Sequence, residues 1–460
     1  MLRFGRRLLR MLLVIARGDD VPTPARLLVE HLGAEAPTLP VLGESWPVYD
    51  HVNLQEALDR WTQAAGRSTT LLGLIGFQHS MFTLADLAQS SRFMDPGIGA
   101  VTMARLASGP NGATQACLRC GLFLVTEGDA RLALLFREPE PHMGQPKARV
   151  EVLCADSERA AAALVEIRRL ALEHSVFRGQ VLSFGSEMFG RDDAPLTFHE
   201  RPALGREDLV LPRDVLEAVE AQVIGIARHR GRLRASGQHL KRGVLLHGPP
   251  GTGKTHTLRY LISRLTDATV IMLSGNALQF IASAVSIARA LQPALVIVED
   301  VDLIAEDRGM HPGQHPLLFE LLNEIDGLGE DADVAFLLTT NRADLLEPAL
   351  AQRPGRVDQA VELPLPDAAG RRQLLDLYRG ALELELVDPD SIVAKTEGVT
   401  ASFFKELLRR AALLRAERTA GDASSALAIR DAELQAALDQ LLAQQNELTR
   451  ILLGGGRNAP

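Results

Sequence analysis

One run of eight residues constrains the fold of this chain more than any other part of its sequence. Residues 248–255 read Gly-Pro-Pro-Gly-Thr-Gly-Lys-Thr. Small residues at this spacing let consecutive backbone N–H groups turn inward around an anion. The apolar segment 243–247 predicts a buried strand before the run, and 256–262 predicts a helix after it. The sequence therefore predicts an α/β fold in which a helix N-terminus faces phosphate groups.

The residues of this phosphate loop suit different parts of a nucleotide. Lys254 is expected to reach the β- and γ-phosphates, and the Thr255 hydroxyl is expected to hold Mg²⁺. ATP and Mg²⁺ are therefore the expected ligands. The predicted ATP-binding residues are the loop and the residue after it: Gly248, Pro249, Pro250, Gly251, Thr252, Gly253, Lys254, Thr255 and His256.

Two acidic residues follow the next strongly apolar segment. Residues 294–298 form a continuous apolar run, which is typical of a strand buried on both faces of a parallel sheet. Glu299 and Asp300 come directly after it. Carboxylates at the carboxyl end of such a strand lie beside the phosphate loop, where one can hold the metal and the other can orient water. We assign the metal to Glu299 and the water to Asp300.

Polar and basic residues also follow a further apolar segment, 334–338. This segment leads into Thr-Thr-Asn-Arg at 339–342, and Arg353 and Arg356 flank a Pro-Gly pair downstream. Two arginines in a rigid Pro-Gly loop are suited to presenting guanidinium groups to a neighbouring phosphate.

From about residue 207 to 450 the sequence resembles an AAA ATPase module. The resemblance is carried, in order, by the phosphate loop and by the segments 299–302, 321–328, 339–342 and 353–356. It implies that Asn341 helps to place the attacking water. It also implies that Arg353 and Arg356 are arginine fingers, which complete the site of the adjacent subunit in a ring. The expected assembly is a homo-oligomer, most simply a hexamer, that hydrolyses ATP to remodel, disassemble or translocate a protein client.

The order of the two carboxylates departs from the family pattern. Most relatives have Asp and then Glu, whereas this chain has Glu299 and then Asp300. A displacement of about 1 Å at a catalytic group can cost on the order of a hundredfold in rate. We therefore predict a slow but genuine ATPase. The alternative is an ATP-dependent regulatory or assembly scaffold with slow or negligible hydrolysis.

A second departure concerns the loop with which related motors grip an unfolded polypeptide. Phe280 and Ile281 are the only candidates for it, and the glycine of the usual aromatic-hydrophobic-Gly tripeptide is missing. The interpretation of both residues as part of the core of a helix is at least as good as that of a gripping loop. A third departure is that no charged residue between Gly398 and Phe403 can be assigned as a sensor of the nucleotide.

Charge and cysteine content limit the choice of ligands. A formal net charge of −9 argues against nucleic acid as a partner, because that would require a clustered basic face. The three cysteines suit a reducing cytoplasm. Cys117 and Cys120 have the spacing of zinc ligands, but no second pair completes a tetrahedral site. These thiols are expected to lie in the core.

Membrane and protease functions are also not expected. No segment reaches the roughly 20 apolar residues that a membrane-spanning helix needs. Residues 1–17 are basic and amphipathic, and we favour their docking on protein over the alternative, an anionic membrane surface. The chain contains no His-Glu-x-x-His zinc site, so it is not expected to be a self-contained AAA protease. The expected location is cytoplasmic.

The expected organisation is an α+β domain followed by the AAA module. Residues 1–205 resemble no family and are expected to form a client or regulatory domain, with strands from residue 117, a long helix capped by Ser157 and a final strand over 179–184. The large α/β nucleotide-binding domain, a parallel sheet flanked by helices, spans 207–366. A small all-helical lid capped by Asp367 spans 367–453, and a disordered tail spans 454–460.

Overall fold

The chain contains two large sheets and divides into two compact units. The computed structural model describes residues 23–77, 82–89, 96–139, 147–185, 196–302, 317–344, 357–418 and 427–443. The first unit contains the residues up to 178 together with 185–199, and the second contains 179–184 together with the residues from 200 onward.

The first unit contains an antiparallel sheet. Its strands are β1 Val41–Trp46, β2 Arg67–Ile75, β3 Gly97–Gly99, β4 Thr102–Ala107, β5 Thr114–Glu127, β6 Ala130–Arg137 and β7 Ala148–Cys154; the unit also contains β9 Leu196–His199. The strand order is β1-β7-β6-β5-β2-β3, and β4 pairs with the first half of β5. This observation agrees with the α+β architecture predicted for the N-terminal region.

Helices cover both faces of this sheet. They are α1 Pro24–Leu32, α2 His51–Thr62, α3 Leu84–Gln89 and α4 Ser157–Glu173. Side chains of α2 and α4, including Trp61 and Ile167, pack on one face, while α1 and α3 place Leu28 and Leu84 on the other. Burial on both faces explains why β6 and β7 are almost continuously apolar instead of alternating.

The structure corrects the N-cap of α4. The Asp156 side chain accepts hydrogen bonds from the N–H groups of Glu158 and Arg159, so Asp156 is the cap and Ser157 is the first helical residue. Both residue types are good N-caps, and only the backbone angles decide between neighbours.

The second unit contains a parallel sheet. Its strands are β8 Val181–Phe184, β10 Arg242–His247, β11 Thr269–Leu273, β12 Ala294–Val298, β13 Val334–Thr340 and β14 Gln359–Glu362. They run in the order β14-β10-β13-β12-β11-β8, and each strand in this order pairs in parallel with the next. The carboxyl ends of these strands therefore meet at one edge, as the phosphate loop predicted.

One strand lies in a different sheet from the one expected. The sequence pattern predicts 179–184 as the last strand of the N-terminal domain, but Val181–Phe184 pairs in parallel with β11 of the second unit. The buried Val181 packs with Val270 and Leu261 in the core of that unit. A short apolar run has no local signal for its sheet, so only the long-range pairing reveals it.

Helices surround the parallel sheet. They are α5 Arg213–Glu220, α6 Ile226–Ala235, α7 Lys254–Arg264, α8 Ile281–Ala290 and α9 Leu317–Asp326. A π-helical turn over Ala221–Gly225 joins α5 to α6, and a 3-10 turn over Gly275–Phe280 precedes α8. The predicted start of α5 at Arg213 is confirmed.

Within the described residues, 367–418 and 427–443, the lid region is helical apart from one pair of short strands. Its helices are α10 Ala368–Tyr378, α11 Pro389–Lys395, α12 Ala401–Arg418 and α13 Asp431–Leu442. Asp367 caps α10 by accepting from the Gly370 N–H, as predicted. Strands β15 Glu383–Glu385 and β16 Ala428–Arg430 pair in parallel, which the prediction of an all-helical lid missed because strands of three residues leave no periodic pattern.

The structure also bears on the expected burial of the cysteines and on the search for a membrane-spanning helix. Cys117, Cys120 and Cys154 are free and buried in the first unit, and no metal-binding cluster of His, Cys, Asp or Glu occurs among the described residues. Among the helices of the described ranges, none combines the length and the apolar character that crossing a bilayer requires.

Candidate functional site

The phosphate loop joins the carboxyl end of β10 to the first turn of α7. Gly248, Gly251 and Gly253 have φ angles of 147°, 81° and 101°, values that residues with a side chain rarely adopt. A Cβ atom on Gly248 would lie 2.4 Å from the Leu363 carbonyl oxygen. All three glycines thus suit the backbone conformation, and at Gly248 close packing also excludes a side chain. Pro249 and Pro250 lie in the turn, where the Pro249 carbonyl accepts from the Thr252 hydroxyl at 2.9 Å.

Lys254 is the first residue of α7, and its amine lies against the loop. The Nζ atom donates to the carbonyl oxygens of Gly248 at 2.7 Å and Pro249 at 3.0 Å. Burial lowers the pKa of Lys254, while the nearby charges of Asp300 and Asp302 act to raise it. One cation therefore lies between the loop and the carboxylates that follow β12.

Thr255 and Glu299 are brought together across the sheet edge. The Thr255 hydroxyl donates to Glu299 Oε2 at 2.9 Å, although the two residues are 44 positions apart in the chain. Thr255 lies in the first turn of α7 and Glu299 directly follows β12. The structure places side by side the two oxygen groups to which the sequence assigns a metal ion.

Asp300 and Asn341 form a second pair beside the first. Asn341 Nδ2 donates to Asp300 Oδ1 at 3.3 Å, and the Asp300 N–H donates to the Thr339 hydroxyl at 3.1 Å. Asp300 has a φ of 53°, in the left-handed region that is uncommon for residues other than glycine. Such conformations cluster at functional sites, where the surrounding structure holds them.

Asp302 is a third carboxylate in this segment, and the sequence motifs assign it no function. Asp302 Oδ1 accepts hydrogen bonds from the Thr340 hydroxyl at 2.8 Å and from the Asn341 N–H at 3.2 Å. Asp302 is only 8% exposed, and Thr340 is fully buried. The sequence signal that could have identified Asp302 as part of the site is its place two positions after Asp300.

The lid lies directly against the phosphate loop. A Cβ atom on Gly251 would lie 2.4 Å from Ser402 Oγ and 2.8 Å from Thr400 Oγ1. The Ser402 N–H also donates to the Gly251 carbonyl at 3.3 Å, at the start of α12. The contact joins segments about 150 positions apart, and no local pattern in either segment indicates it.

His256 points away from the phosphate end of the loop. Its Nε2 atom lies 2.9 Å from the carbonyl oxygen of Asp208, in the 3-10 turn Arg206–Asp208 that precedes α5. The ring thus links the helix after the loop to the segment that enters the unit. Because this bond turns the ring toward Asp208, the assignment of His256 to the ATP-binding set stays a prediction.

Phe280 and Ile281 occupy a packed position. Ile281 is the first residue of α8 and is fully buried, and the Phe280 ring stacks on Phe184 with centroids 5.0 Å apart. This geometry favours the interpretation as core residues over a loop that grips a polypeptide. Arg353 and Arg356, the predicted arginine fingers, lie outside the described residues.

Comparison with known proteins agrees with this geometry. Residues 244–365 match the family model described as "ATPase family associated with various cellular activities (AAA)". The chain is 35% identical over 280 residues to ATP-dependent zinc metalloprotease FtsH 3 of Sphaerobacter thermophilus, an alignment covering 57% of this chain and 54% of that protein. It is 33% identical over 227 residues to 26S proteasome regulatory subunit 6A of Encephalitozoon cuniculi, covering 45% and 56%.

A third similar protein is ATP-dependent zinc metalloprotease FtsH 3 of Synechocystis, which is 31% identical over 248 residues. That alignment covers 50% of this chain and 39% of the relative. The chain thus spans about half the length of the curated relatives it matches, or less.

Proposed function

Because this chain contains an ATPase module of the AAA family, we propose that it hydrolyses ATP at the carboxyl edge of its parallel sheet and uses the energy to remodel a protein client. The observation that carries the proposal is the pairing of four polar residues at that edge. Thr255 lies 2.9 Å from Glu299, and Asn341 lies 3.3 Å from Asp300. Sequence-distant residues are thus grouped as a phosphate-transfer site requires.

The first pair suits a magnesium ion. A hydroxyl and a carboxylate oxygen are ligands that this hard cation prefers, and Thr255 and Glu299 would hold it. Bound there, Mg²⁺ would neutralise charge that develops on the β- and γ-phosphate oxygens. Lys254, beside the same loop, would supply a second positive charge.

The second pair suits activation of water. Asp300 would accept the proton of a water molecule whose oxygen attacks the γ-phosphorus, and the bond from that phosphorus to the β-phosphate oxygen would break. Asn341 would orient the Asp300 carboxylate or the water through its amide. The products are ADP and inorganic phosphate.

The proposed assembly is a ring, most simply a hexamer, in which Arg353 and Arg356 of one subunit serve the site of the next. The names of two relatives, an ATP-dependent metalloprotease and a proteasome regulatory subunit, support a protein as the client. The proteolytic activity in the first name is not part of the proposal.

The decisive experiment measures ATP turnover per subunit against protein concentration, with mass photometry on the same samples. We expect turnover to rise as the ring assembles. Lys254→Ala should abolish nucleotide binding, because the loop loses its cation. Turnover that is independent of assembly would contradict a site shared between subunits.

A mixing experiment tests the arginine fingers. A double variant, Arg353→Ala with Arg356→Ala, keeps its own loop and carboxylates, whereas Asp300→Asn keeps its fingers. Each should be inactive alone, and their mixture should recover turnover because Asp300→Asn subunits supply fingers to intact sites. Mixed rings without recovery would contradict action between subunits.

A second candidate function is an ATP-dependent assembly scaffold with slow or negligible hydrolysis. The burial of Ile281 and the stacking of Phe280 on Phe184 favour it over processive threading, since they leave no free gripping pair at that position. Tight ATP binding with no turnover in any assembly state would select this alternative.

A further inference from the structure

We infer that Asp302 and Thr340 are positioning residues that set the placement of Asn341 against Asp300. The inference rests on the proposed ATP hydrolysis and assigns a role to two side chains that are not themselves expected to touch the substrate. Its basis is a frame of side-chain hydrogen bonds between the ends of two neighbouring strands.

The frame begins where the backbone ladder between β12 and β13 stops. The last paired residues are Val298 and Leu338. Beyond them the Val301 N–H still donates to the Thr339 carbonyl at 2.9 Å, and the Asp300 N–H donates to the Thr339 hydroxyl at 3.1 Å. Side chains thus extend the contact between the two strands into the site.

Asp302 and Thr340 form the second half of the frame. One oxygen of Asp302 accepts from both the Thr340 hydroxyl and the Asn341 N–H. The Thr340 hydroxyl in turn accepts from the Arg342 N–H at 2.9 Å. The backbone on both sides of Asn341 is therefore fixed by buried polar atoms, and the direction of the Asn341 amide follows from it.

Buried hydrogen-bonded groups of this kind hold a geometry tightly, because leaving one of them unpaired is costly. The contact from Asn341 to Asp300 is long, at 3.3 Å, and makes no comparable demand on the backbone. The frame, and not this contact, is therefore what sets the position of the Asn341 amide.

Thr340 offers the cleaner test of the two residues. Asp302 carries a charge that also acts on Lys254, so its replacement alters the phosphate loop as well. Thr340→Val removes only the hydroxyl and keeps nearly the same volume. Thr340→Ser keeps the hydroxyl and removes only a methyl group.

A matched control exists in the same sheet. Thr269 is also fully buried, and its hydroxyl donates to the Leu291 carbonyl at 3.0 Å and accepts from the Gly179 N–H at 3.0 Å. It lies at the first residue of β11, at the amino edge of the parallel sheet. Thr269→Val therefore removes an equivalent buried hydroxyl at the opposite edge from the site.

The experiment compares kcat, KM and ATP affinity of the full-length wild type, Thr340→Val, Thr340→Ser and Thr269→Val. We expect Thr340→Val to lower kcat by roughly 10- to 100-fold, as a displaced catalytic geometry does, with KM and ATP affinity nearly unchanged. Thr340→Ser should retain most of the wild-type kcat. Thr269→Val should lower the melting temperature without lowering kcat.

An unchanged kcat in Thr340→Val, or an equal loss in Thr269→Val, would overturn the inference while leaving the proposed function intact. Absence of turnover in the wild type at every assembly state would overturn the proposed function itself, and this inference with it. If Thr340→Val does not fold, comparing the kcat of Asp302→Asn with that of Asp302→Ala tests the inference. The amide oxygen of Asn keeps the acceptor, so kcat should survive in Asp302→Asn and fall in Asp302→Ala; equal values would overturn the inference.

Discussion

The units that contain the two large sheets of this protein bury polar side chains in different ways. In the antiparallel first unit, the polar residues of α2 bond to nearby backbone: His51 lies 2.8 Å from the Leu118 carbonyl, and Gln55 accepts from the Leu118 N–H at 2.7 Å. In the parallel second unit, Thr255, Glu299 and Asp300 gather at one edge. Parallel strands bring their carboxyl ends together, whereas antiparallel strands distribute them over two edges.

The polar side chains of α2 stabilise the first unit, whereas the carboxylates at the parallel edge can still bind a ligand. Asn53 in α2 accepts from the Val176 N–H and donates to Asp50, so its amide is bonded within the unit. At the parallel edge, by contrast, the carboxylates of Glu299 and Asp300 each accept one side-chain hydrogen bond from within the described part of the chain, from Thr255 and Asn341 respectively. Changes to the two regions should therefore be visible in different measurements.

The largest expected effect is on catalysis in the second unit. Asp300→Asn should lower kcat by about 10²- to 10⁴-fold, because an amide cannot accept the proton from water. Asparagine tolerates the positive φ at this position, so folding and ATP binding should persist. Turnover and equilibrium ATP binding measure the two effects. The control is Asp331→Asn, at an exposed carboxylate before β13, whose turnover should match that of the wild type. Turnover close to wild type in Asp300→Asn would contradict the catalytic role of Asp300.

The next effect is on stability of the same unit. Arg201 donates to four carbonyl oxygens, at 2.8–2.9 Å, that belong to Gly179, Ile262, Leu265 and Ala268. Arg201→Ala should reduce the free energy of unfolding of the second unit by about 2–4 kcal/mol, because a charged donor to buried acceptors is lost.

Denaturation can assign this effect to one unit. The only tryptophans, Trp46 and Trp61, lie in the first unit, so their fluorescence follows its unfolding, and ATP binding follows the second. Arg201→Ala should shift the second transition much more than the first. Arg213→Ala, which removes an exposed pair with Glu217, should shift neither. Equal shifts of both transitions would argue against separate units.

A smaller effect concerns pH and the first unit. Burial lowers the pKa of His51 to about 4, from an ordinary value of 6.5. The unfolded chain therefore binds this proton first, and stability falls as the pH drops through 6.5. From about pH 7.5 to about pH 5 the tryptophan-monitored stability should fall by about 2 kcal/mol from this group.

The control for this prediction is His51→Gln, which keeps a side-chain N–H donor but does not titrate. Burial raises the pKa of the neighbouring Asp50, which acts in the opposite direction on acidification. The difference between the wild type and the variant therefore isolates His51. The same pH dependence in both proteins would contradict the assignment.

The smallest effects are expected from a thiol reagent and from metal removal. Burial, with a smaller contribution from Asp59, raises the pKa of the Cys117 thiol to about 11, and all three cysteines are buried. A thiol reagent should label none of them until the protein unfolds, because the thiolate is the reactive form.

A chelator should leave the tryptophan-monitored transition unchanged. Destabilisation by the chelator would instead indicate a metal ion in the first unit.

The sequence predicted those parts of the protein whose signals are local. The phosphate loop, the Asp367 cap and the carboxylates after β12 each have a short pattern that fixes a turn, a helix start or a strand end. The AAA fold followed from their order. The pairing of Thr255 with Glu299 could be anticipated because the strand ends of a parallel sheet meet at one edge.

The features that escaped prediction depend on contacts between distant segments. The sheet to which β8 belongs is set by its pairing with β11, about 90 residues later. The contact of Gly251 with Ser402 depends on how the lid folds back on the loop. The capping by Asp156 in place of Ser157 is a smaller case, since neighbouring residues of similar propensity are separated only by backbone angles.

The left-handed backbone at Asp300 also limits how this site could change by single substitutions. Conversion of Glu299-Asp300 to the reverse order passes through either Asp-Asp or Glu-Glu. Aspartate is several-fold enriched in the left-handed region and adopts it at low cost, whereas glutamate has no short side chain to bond its own backbone there. The two mutational routes are therefore unequal: the Asp-Asp route keeps a tolerated residue at position 300 until the last step. We therefore expect the reverse order to require a change in the turn that holds position 300 in this conformation.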